Sequence, residues 1–178
     1  MAFKWPWQYD FPPFYTLQPN VDTREKQIDG WCNLVLSYHR SNKLFKLDLK
    51  EASASPLFNN KKINRRLSEE AILLVLETLK NRGNLEWMDK QKAQCLVLWR
   101  TIDEWANIIH KWVCDGGLNN TICTVFELQS GDDTTSQEFH GIDLNVLHRA
   151  LKLLEKQGKA EIISGSASDG SDAGVKFF

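Results

Sequence analysis

From residue 21 onward the apolar residues of the chain recur at one of two periods. Ile28, Trp31, Cys32, Val35 and Tyr38 stand at i, i+3, i+4, i+7 and i+10, one stripe of a helix predicted to begin near Asp22 as its cap. Between residues 44 and 49 the period shortens to two. Phe45, Leu47 and Leu49 share one face and Lys46 and Asp48 the other, which predicts a short strand. A turn-rich loop around Pro56 leads into residues 61–67, read as a short basic helix. Ser68 caps the next helix, with Glu69 and Glu70 in its first turn, Ile72, Val75, Leu76 and Leu79 inside, and Gly83 as its stop. Two alternating runs, 85–88 and 95–99, joined by a polar turn, predict a hairpin.

The same order then restarts. Thr101-Ile102-Asp103-Glu104 reads as a capping box opening a helix with Trp105, Ile108, Ile109 and Trp112 on one face, ended by Gly116-Gly117. Residues 124–128 read as a short helix or strand, and the loop 130–141 is acidic at Asp132, Asp133 and Glu138. Asp143 opens a helix with Leu144, Leu147, Leu151 and Leu154 inward and Gly158 as its stop. A final hairpin pairs 159–163 with 174–178 across a Gly/Ser/Asp tip. At an offset of 75, Leu76-x-x-Leu79…Gly83-x-x-Glu86 matches Leu151-x-x-Leu154…Gly158-x-x-Glu161. A three-helix core closed by a β-hairpin is the winged-helix pattern, a variant of helix-turn-helix. The expected fold is therefore α+β: two tandem winged-helix domains, 21–100 and 101–178, behind a tail of residues 1–20.

That tail breaks both periods. Residues 3–15 hold seven aromatics and three prolines (Pro6, Pro12, Pro13). Proline fixes φ and removes donors, so the segment is expected to be extended or polyproline-like. Its apolar surface is too large for a solvated linker, so it must lie on its own domain or on another chain. Pro12-Pro13-Phe14-Tyr15 also spells P-P-x-Y, the ligand type of WW domains.

Composition sharpens the functional reading. The seven tryptophans suit a chain that meets partners, because Trp supplies a large amphipathic contact surface. The net charge of −1 hides an asymmetry: residues 1–100 carry 16 Lys and Arg against 11 Asp and Glu, and residues 101–178 carry 6 against 12. The four cysteines include no C-x-x-C pair, so reduced intracellular thiols are expected. His110, Cys114 and Cys123 make a partial zinc pattern without a fourth ligand. Phosphate loops, nucleophile elbows and metalloprotease helices are all missing from the sequence, and the four histidines are scattered. An enzyme is not expected, nor a cofactor or metal. No stretch approaches the length of a transmembrane helix, and the interrupted N-terminus does not read as a signal peptide.

Nucleic-acid binding is the rival that the winged-helix pattern raises. The helix expected to enter a groove carries Glu69, Glu70, Glu77 and Thr78 against Lys80 and Arg82 in the first domain. In the second it carries Arg149, Lys152 and Lys156 with Asp143 and Glu155, beside an acidic wing at Asp169 and Asp172. Phosphate contacts dominate affinity for duplexes, so these charges argue against either domain as a reader. A basic cluster of Lys61, Lys62, Arg65 and Arg66 remains, read as a solvated face or as a contact to an acidic partner or anionic membrane.

Several stretches carry a resemblance. Trp5-Pro6-Trp7-Gln8-Tyr9, Phe11-Pro12-Pro13-Phe14, Thr16-Leu17-Gln18-Pro19-Asn20, Ser55-Pro56-Leu57-Phe58-Asn59-Asn60, Gly83-Asn84-Leu85-Glu86-Trp87, Glu138-Phe139-His140-Gly141 and Gly174-Val175-Lys176-Phe177-Phe178 are similar, end to end, to the small subunit of ESCRT-II, the vacuolar protein sorting-associated protein 25 family. The resemblance implies two winged-helix domains without enzymatic activity. It further implies a tail that docks onto the two larger ESCRT-II subunits through Trp5, Pro6, Trp7, Phe11, Pro12, Pro13 and Phe14, with two copies of the chain per complex. The second domain would recruit an ESCRT-III subunit through that subunit's N-terminal helix, for sorting ubiquitinated cargo into multivesicular endosomes. The chain would be cytoplasmic and reach endosomal membranes mainly through the complex.

Overall fold

The computed structural model describes residues 3–165 and 172–178. The chain divides into two compact units, Met1–Trp99 and Arg100–Phe178, and the tail belongs to the first.

Unit 1 opens with α1 (Val21–Ser41), which buries Ile28, Trp31, Cys32, Leu34 and Val35. Its cap is Asn20 rather than Asp22. The Asn20 side chain accepts from the Thr23 amide at 3.0 Å, and Asp22 sits in the first turn, where the helix dipole favours it. Strand β1 (Lys46–Asp48) follows, and the Asp48 carboxylate caps a one-turn helix, α2 (Leu49–Ala52), that the apolar pattern had not predicted. Four residues are too few to display a period, and here the cap defines the element.

The predicted basic helix at 61–67 is instead a hairpin of β2 (Asn59–Asn60) and β3 (Arg65–Arg66). A run of seven residues that buries only its last, Leu67, does not repay helix nucleation. Buried Phe58 and Leu67 pin the hairpin's ends, joined by Leu67 N–H to the Phe58 carbonyl at 2.9 Å. Helix α3 (Glu69–Asn81) is capped by Ser68 and packs Ile72, Val75, Leu76 and Leu79 inward. Strands β4 (Leu85–Trp87) and β5 (Gln94–Val97) complete an antiparallel sheet of order β1-β5-β4.

Unit 2 repeats this plan. Helix α4 (Ile102–Asp115) starts from the predicted capping box, with Thr101 and Glu104 bonding reciprocally, and buries Trp105, Ala106, Ile109 and Val113. The ambiguous stretch near 124 is both things in succession: β6 (Ile122–Thr124), whose last residue caps α5 (Val125–Ser130). Helix α6 (Leu144–Lys156) begins at the Asp143 cap, and β7 (Ala160–Ile163) and β8 (Gly174–Phe177) give the order β6-β8-β7. The Gly/Ser/Asp tip of this hairpin, Asp169 included, falls on residues outside those described.

Among the described residues, each unit thus holds three α-helices and a three-stranded sheet in which the first strand pairs with the last, the winged-helix arrangement. The offset of 75 carries Glu69–Asn81 onto Leu144–Lys156 residue for residue. It also carries Gly83 (φ +82°) onto Gly158 (φ +75°), and both turn the chain out of a helix into a strand. A Cβ at either glycine would meet nothing within 4 Å, so a substitution there is penalised through φ alone. Gly83→Ala and Gly158→Ala should each lower unfolding stability by about 1 kcal/mol in urea titrations, and by similar amounts. A substitution without cost at either position would contradict the left-handed turn.

Candidate partner-binding site

The tail is not extended. Residues Trp7–Asp10 and Pro12–Tyr15 form two 3-10 turns. Proline fits there because the first residues of a helical turn donate no internal hydrogen bond, and Pro12 and Pro13 occupy those positions. The expectation of a polyproline-like strand considered the missing donors alone. It overlooked what the turns accomplish, which is to point alternate aromatics down into unit 1.

Phe14 is one of the buried three, with Tyr9 and Tyr15. Its ring stacks on Trp31 of α1 with centroids 4.4 Å apart and planes 6° from parallel. Tyr15 meets Trp31 edge-on at 5.3 Å, and Phe58 closes the far side at 5.7 Å. Gly30 makes room for the stack, since a Cβ there would stand 3.1 Å from the Phe14 ring. Farther along, Trp5 stacks on Tyr9 at 3.9 Å, and Phe3 and Trp5 both lie against Tyr38.

Backbone carbonyls of the tail buried by this packing need donors, and the interior supplies them. Trp31 Nε1 donates to the Phe14 carbonyl at 2.9 Å. The buried Gln27 side chain donates to the carbonyls of Phe14 and Thr16, each at 2.8 Å, and accepts from the Gln18 amide at 3.1 Å. Asn60, also buried, donates to the Tyr9 carbonyl at 2.8 Å and to the Asp10 carboxylate at 3.1 Å. The Tyr15 hydroxyl donates to the Tyr9 carbonyl at 2.7 Å, and the Tyr9 hydroxyl to the Pro56 carbonyl. Burial pushes both phenols above their ordinary range. Sequence reading missed Gln27, Gly30 and Asn60, because a polar residue that satisfies a distant carbonyl leaves no periodic signal.

Among the side chains left outside are two large aromatics. Trp7 is 70% exposed and Phe11 46%, with rings 5.5 Å apart, and Pro12 and Pro13 are exposed beside them. Trp5 and Pro6 are half-buried and Phe14 is buried. A cleft of about 360 Å³ runs beneath the exposed pair, walled by Trp7, Phe11, Pro13, Gln18 and Lys26. The WW-ligand reading does not fit this geometry: that mode requires an extended polyproline helix with an available tyrosine, whereas Tyr15 is buried within a 3-10 turn. The basic residues Lys61, Lys62, Arg65 and Arg66 are exposed on the β2–β3 hairpin, with Lys62 3.5 Å from Asp10 of the tail.

The ESCRT-II complex subunit family model matches residues 8–143. The chain belongs to that family. "Vacuolar protein-sorting-associated protein 25" of Danio rerio is 56% identical over 178 residues, all of both chains. The Homo sapiens protein of that name is 53% identical over 178 residues, covering 100% of this chain and 99% of its own. Among solved structures, subunit VPS25 of the endosomal trafficking complex ESCRT-II superposes with a TM-score of 0.82 at 28% identity, covering 97% of this chain and 98% of that one. A chain of the ESCRT-II complex VPS22/VPS25/VPS36 gives 0.78 at 28% identity, with the same coverage. Membership makes this chain a non-catalytic subunit of an endosomal sorting complex.

Unit 2 of this ESCRT-II subunit carries a second candidate surface. Trp112, Leu118, Ile122 and Leu128 line a groove of about 470 Å³, rimmed by Glu127, Asp132 and Asp133. Ile122 and Phe126 are largely exposed on the same strand–helix corner. No candidate metal centre accompanies it: Cys114 Sγ lies 3.8 Å from the His110 ring nitrogens, but no group of three His, Cys, Asp or Glu able to hold a metal occurs among the described residues. Burial pushes the Cys32 thiol up to about 11 and Cys95 up to about 12, which leaves both inert at neutral pH. No helix among the described residues is long and apolar enough to cross a membrane.

The tail therefore separates into buried anchors and exposed aromatics. Phe14→Ala, which empties the stack on Trp31, should cost unit 1 about 3–5 kcal/mol in denaturant titrations. Phe11→Ala should stay within about 0.5 kcal/mol of the parent. Equal costs for the two would refute the division.

Proposed function

We propose that this chain joins the two larger subunits of ESCRT-II through the exposed face of its tail, with two copies per complex, and that its second unit recruits an ESCRT-III subunit. Trp7 and Phe11, supported by Trp5, Pro6, Pro12 and Pro13, are the contacts. Phe14 acts from beneath by fixing the turn that presents them. One observation carries the docking reading: two large aromatics stand in solvent on a segment whose buried rings and the carbonyls of Tyr9, Phe14 and Thr16 are tied down. Exposed aromatics on a rigid support lose little entropy on binding and become hot spots. The solved VPS22/VPS25/VPS36 complex supports larger ESCRT-II subunits as the partners.

For the second unit, an apolar groove with an acidic rim suits a basic amphipathic helix, the occupant assigned to the ESCRT-III subunit. In this reading the chain works in the cytoplasm and reaches endosomal membranes through the complex, where it links capture of ubiquitinated cargo to multivesicular-body formation. Nucleic-acid binding is not favoured: α3 exposes Glu69 and Glu70 and half-buries Glu77, where a reading helix needs cations.

The test is reconstitution with the larger subunits. Trp7→Ala with Phe11→Ala should weaken assembly by at least about 30-fold, measured by calorimetry, while circular dichroism stays unchanged. Undiminished assembly of this folded variant would overturn the docking role. In a separate arm, Ile122→Asp with Phe126→Asp should leave that assembly intact and abolish capture of the ESCRT-III subunit.

A further inference from the structure

The acidic loop of unit 2 places three hydroxyls in a row, and the fold treats them differently. Thr134 is 1% exposed, with its hydroxyl donating to the Gly131 carbonyl at 3.1 Å and lying 2.9 Å from His140 Nδ1. Thr135 and Ser136 are exposed. Thr135 donates to the Asp132 carbonyl at 3.2 Å, and Ser136 Oγ accepts from the Gln137 side-chain amide at 3.4 Å.

Charge spacing separates the two exposed hydroxyls. Three residues beyond Thr135 stands Glu138, with Asp132 and Asp133 just upstream. Three residues beyond Ser136 stands Phe139, which is apolar and fully buried. Protein kinases with cationic substrate clefts discriminate by such charge patterns and select a hydroxyl followed at the third position by a carboxylate. Glu138 is also held. The Arg100 guanidinium grips it with two bonds, Nε to Oε1 at 2.6 Å and Nη2 to Oε2 at 3.2 Å. Arg100 has a second partner, Glu104, at 3.3 Å, to which it can turn when Glu138 leaves.

We propose that Thr135 is the phosphate acceptor for an acid-directed Ser/Thr kinase, and that the Arg100–Glu138 bridge sets how readily it is modified. The kinase and Mg-ATP supply the phosphoryl group. The Thr135 oxygen attacks the γ-phosphorus, the bond to the β–γ bridging oxygen breaks, ADP leaves, and the hydroxyl proton passes to the kinase's base. The product adds about −1.5 to −2 charge to a loop whose Asp132 and Asp133 already rim the groove. Stronger attraction for a basic occupant then follows, a consequence that rests on the docking reading of the groove, as the acceptor assignment does not.

The experiment treats the full chain with a kinase of the casein kinase 2 type and Mg-ATP, and maps incorporation by fragmentation mass spectrometry. One phosphoryl group is expected on Thr135, retained in Ser136→Ala and lost in Thr135→Val. Glu138→Gln should slow incorporation by about tenfold, the loss of one charge-assisted contact to the kinase. Arg100→Gln, which removes the guanidinium grip on Glu138, should speed it. Circular dichroism of each variant establishes that it is folded. No incorporation into the parent chain, incorporation mapped to Ser136, or undiminished labelling of Thr135→Val or Glu138→Gln would overturn the assignment.

Discussion

Everything distinctive about unit 1 depends on the stack of Phe14 on Trp31. The contact joins the tail to the middle of α1, and Trp31 Nε1 closes it by donating to the backbone carbonyl of the residue it stacks against. A ring pair gives a favourable geometry but no unique register along the chain. The hydrogen bond supplies the register, because only one carbonyl can occupy that position. Once Phe14 is fixed, the proline turns before it have a set direction, and Trp7 and Phe11 can only face outward.

The polar residues around this stack explain why a proline-rich tail can be buried at all. Two 3-10 turns satisfy few of their own carbonyls, and those pressed against the domain would lose water without compensation. Gln27 and Asn60 are buried polar side chains whose partners are tail carbonyls. Asn60 lies in the β2–β3 hairpin, so the same residue couples the basic hairpin to the tail, and the Lys62–Asp10 pair adds a weaker, solvent-screened link. Tail, α1 and hairpin form one polar and aromatic assembly within unit 1.

Much of this was legible in the sequence, and the failures have physical causes. The long helices, their apolar faces, the Ser68, Thr101 and Asp143 caps and the offset of 75 were readable because periodicity and capping are local. Residues 49–52 were missed because one turn of helix has no period. Residues 61–67 were misread because their basic composition suggested a surface helix, while the hairpin is imposed by the buried residues at its ends, Phe58, Asn60 and Leu67. In the tail, proline spacing identified the unusual segment and the aromatic content identified the candidate contacts. Which aromatics face inward depends on Trp31, Gln27 and the bare Cα of Gly30, and no local rule connects residue 14 to residues 27–31.

The tail is already folded onto unit 1 before any partner arrives. Hydrogen–deuterium exchange on the isolated chain tests it most directly, because the amides of Tyr9, Phe11, Phe14 and Thr16 bond within the two turns and their caps. If the turns are locked by the aromatic stack, these amides exchange far more slowly than an unstructured peptide of the same sequence and lose protection when Phe14 is replaced by Ala. Exchange of residues 9–16 at the unstructured rate in the isolated parent chain would contradict the account.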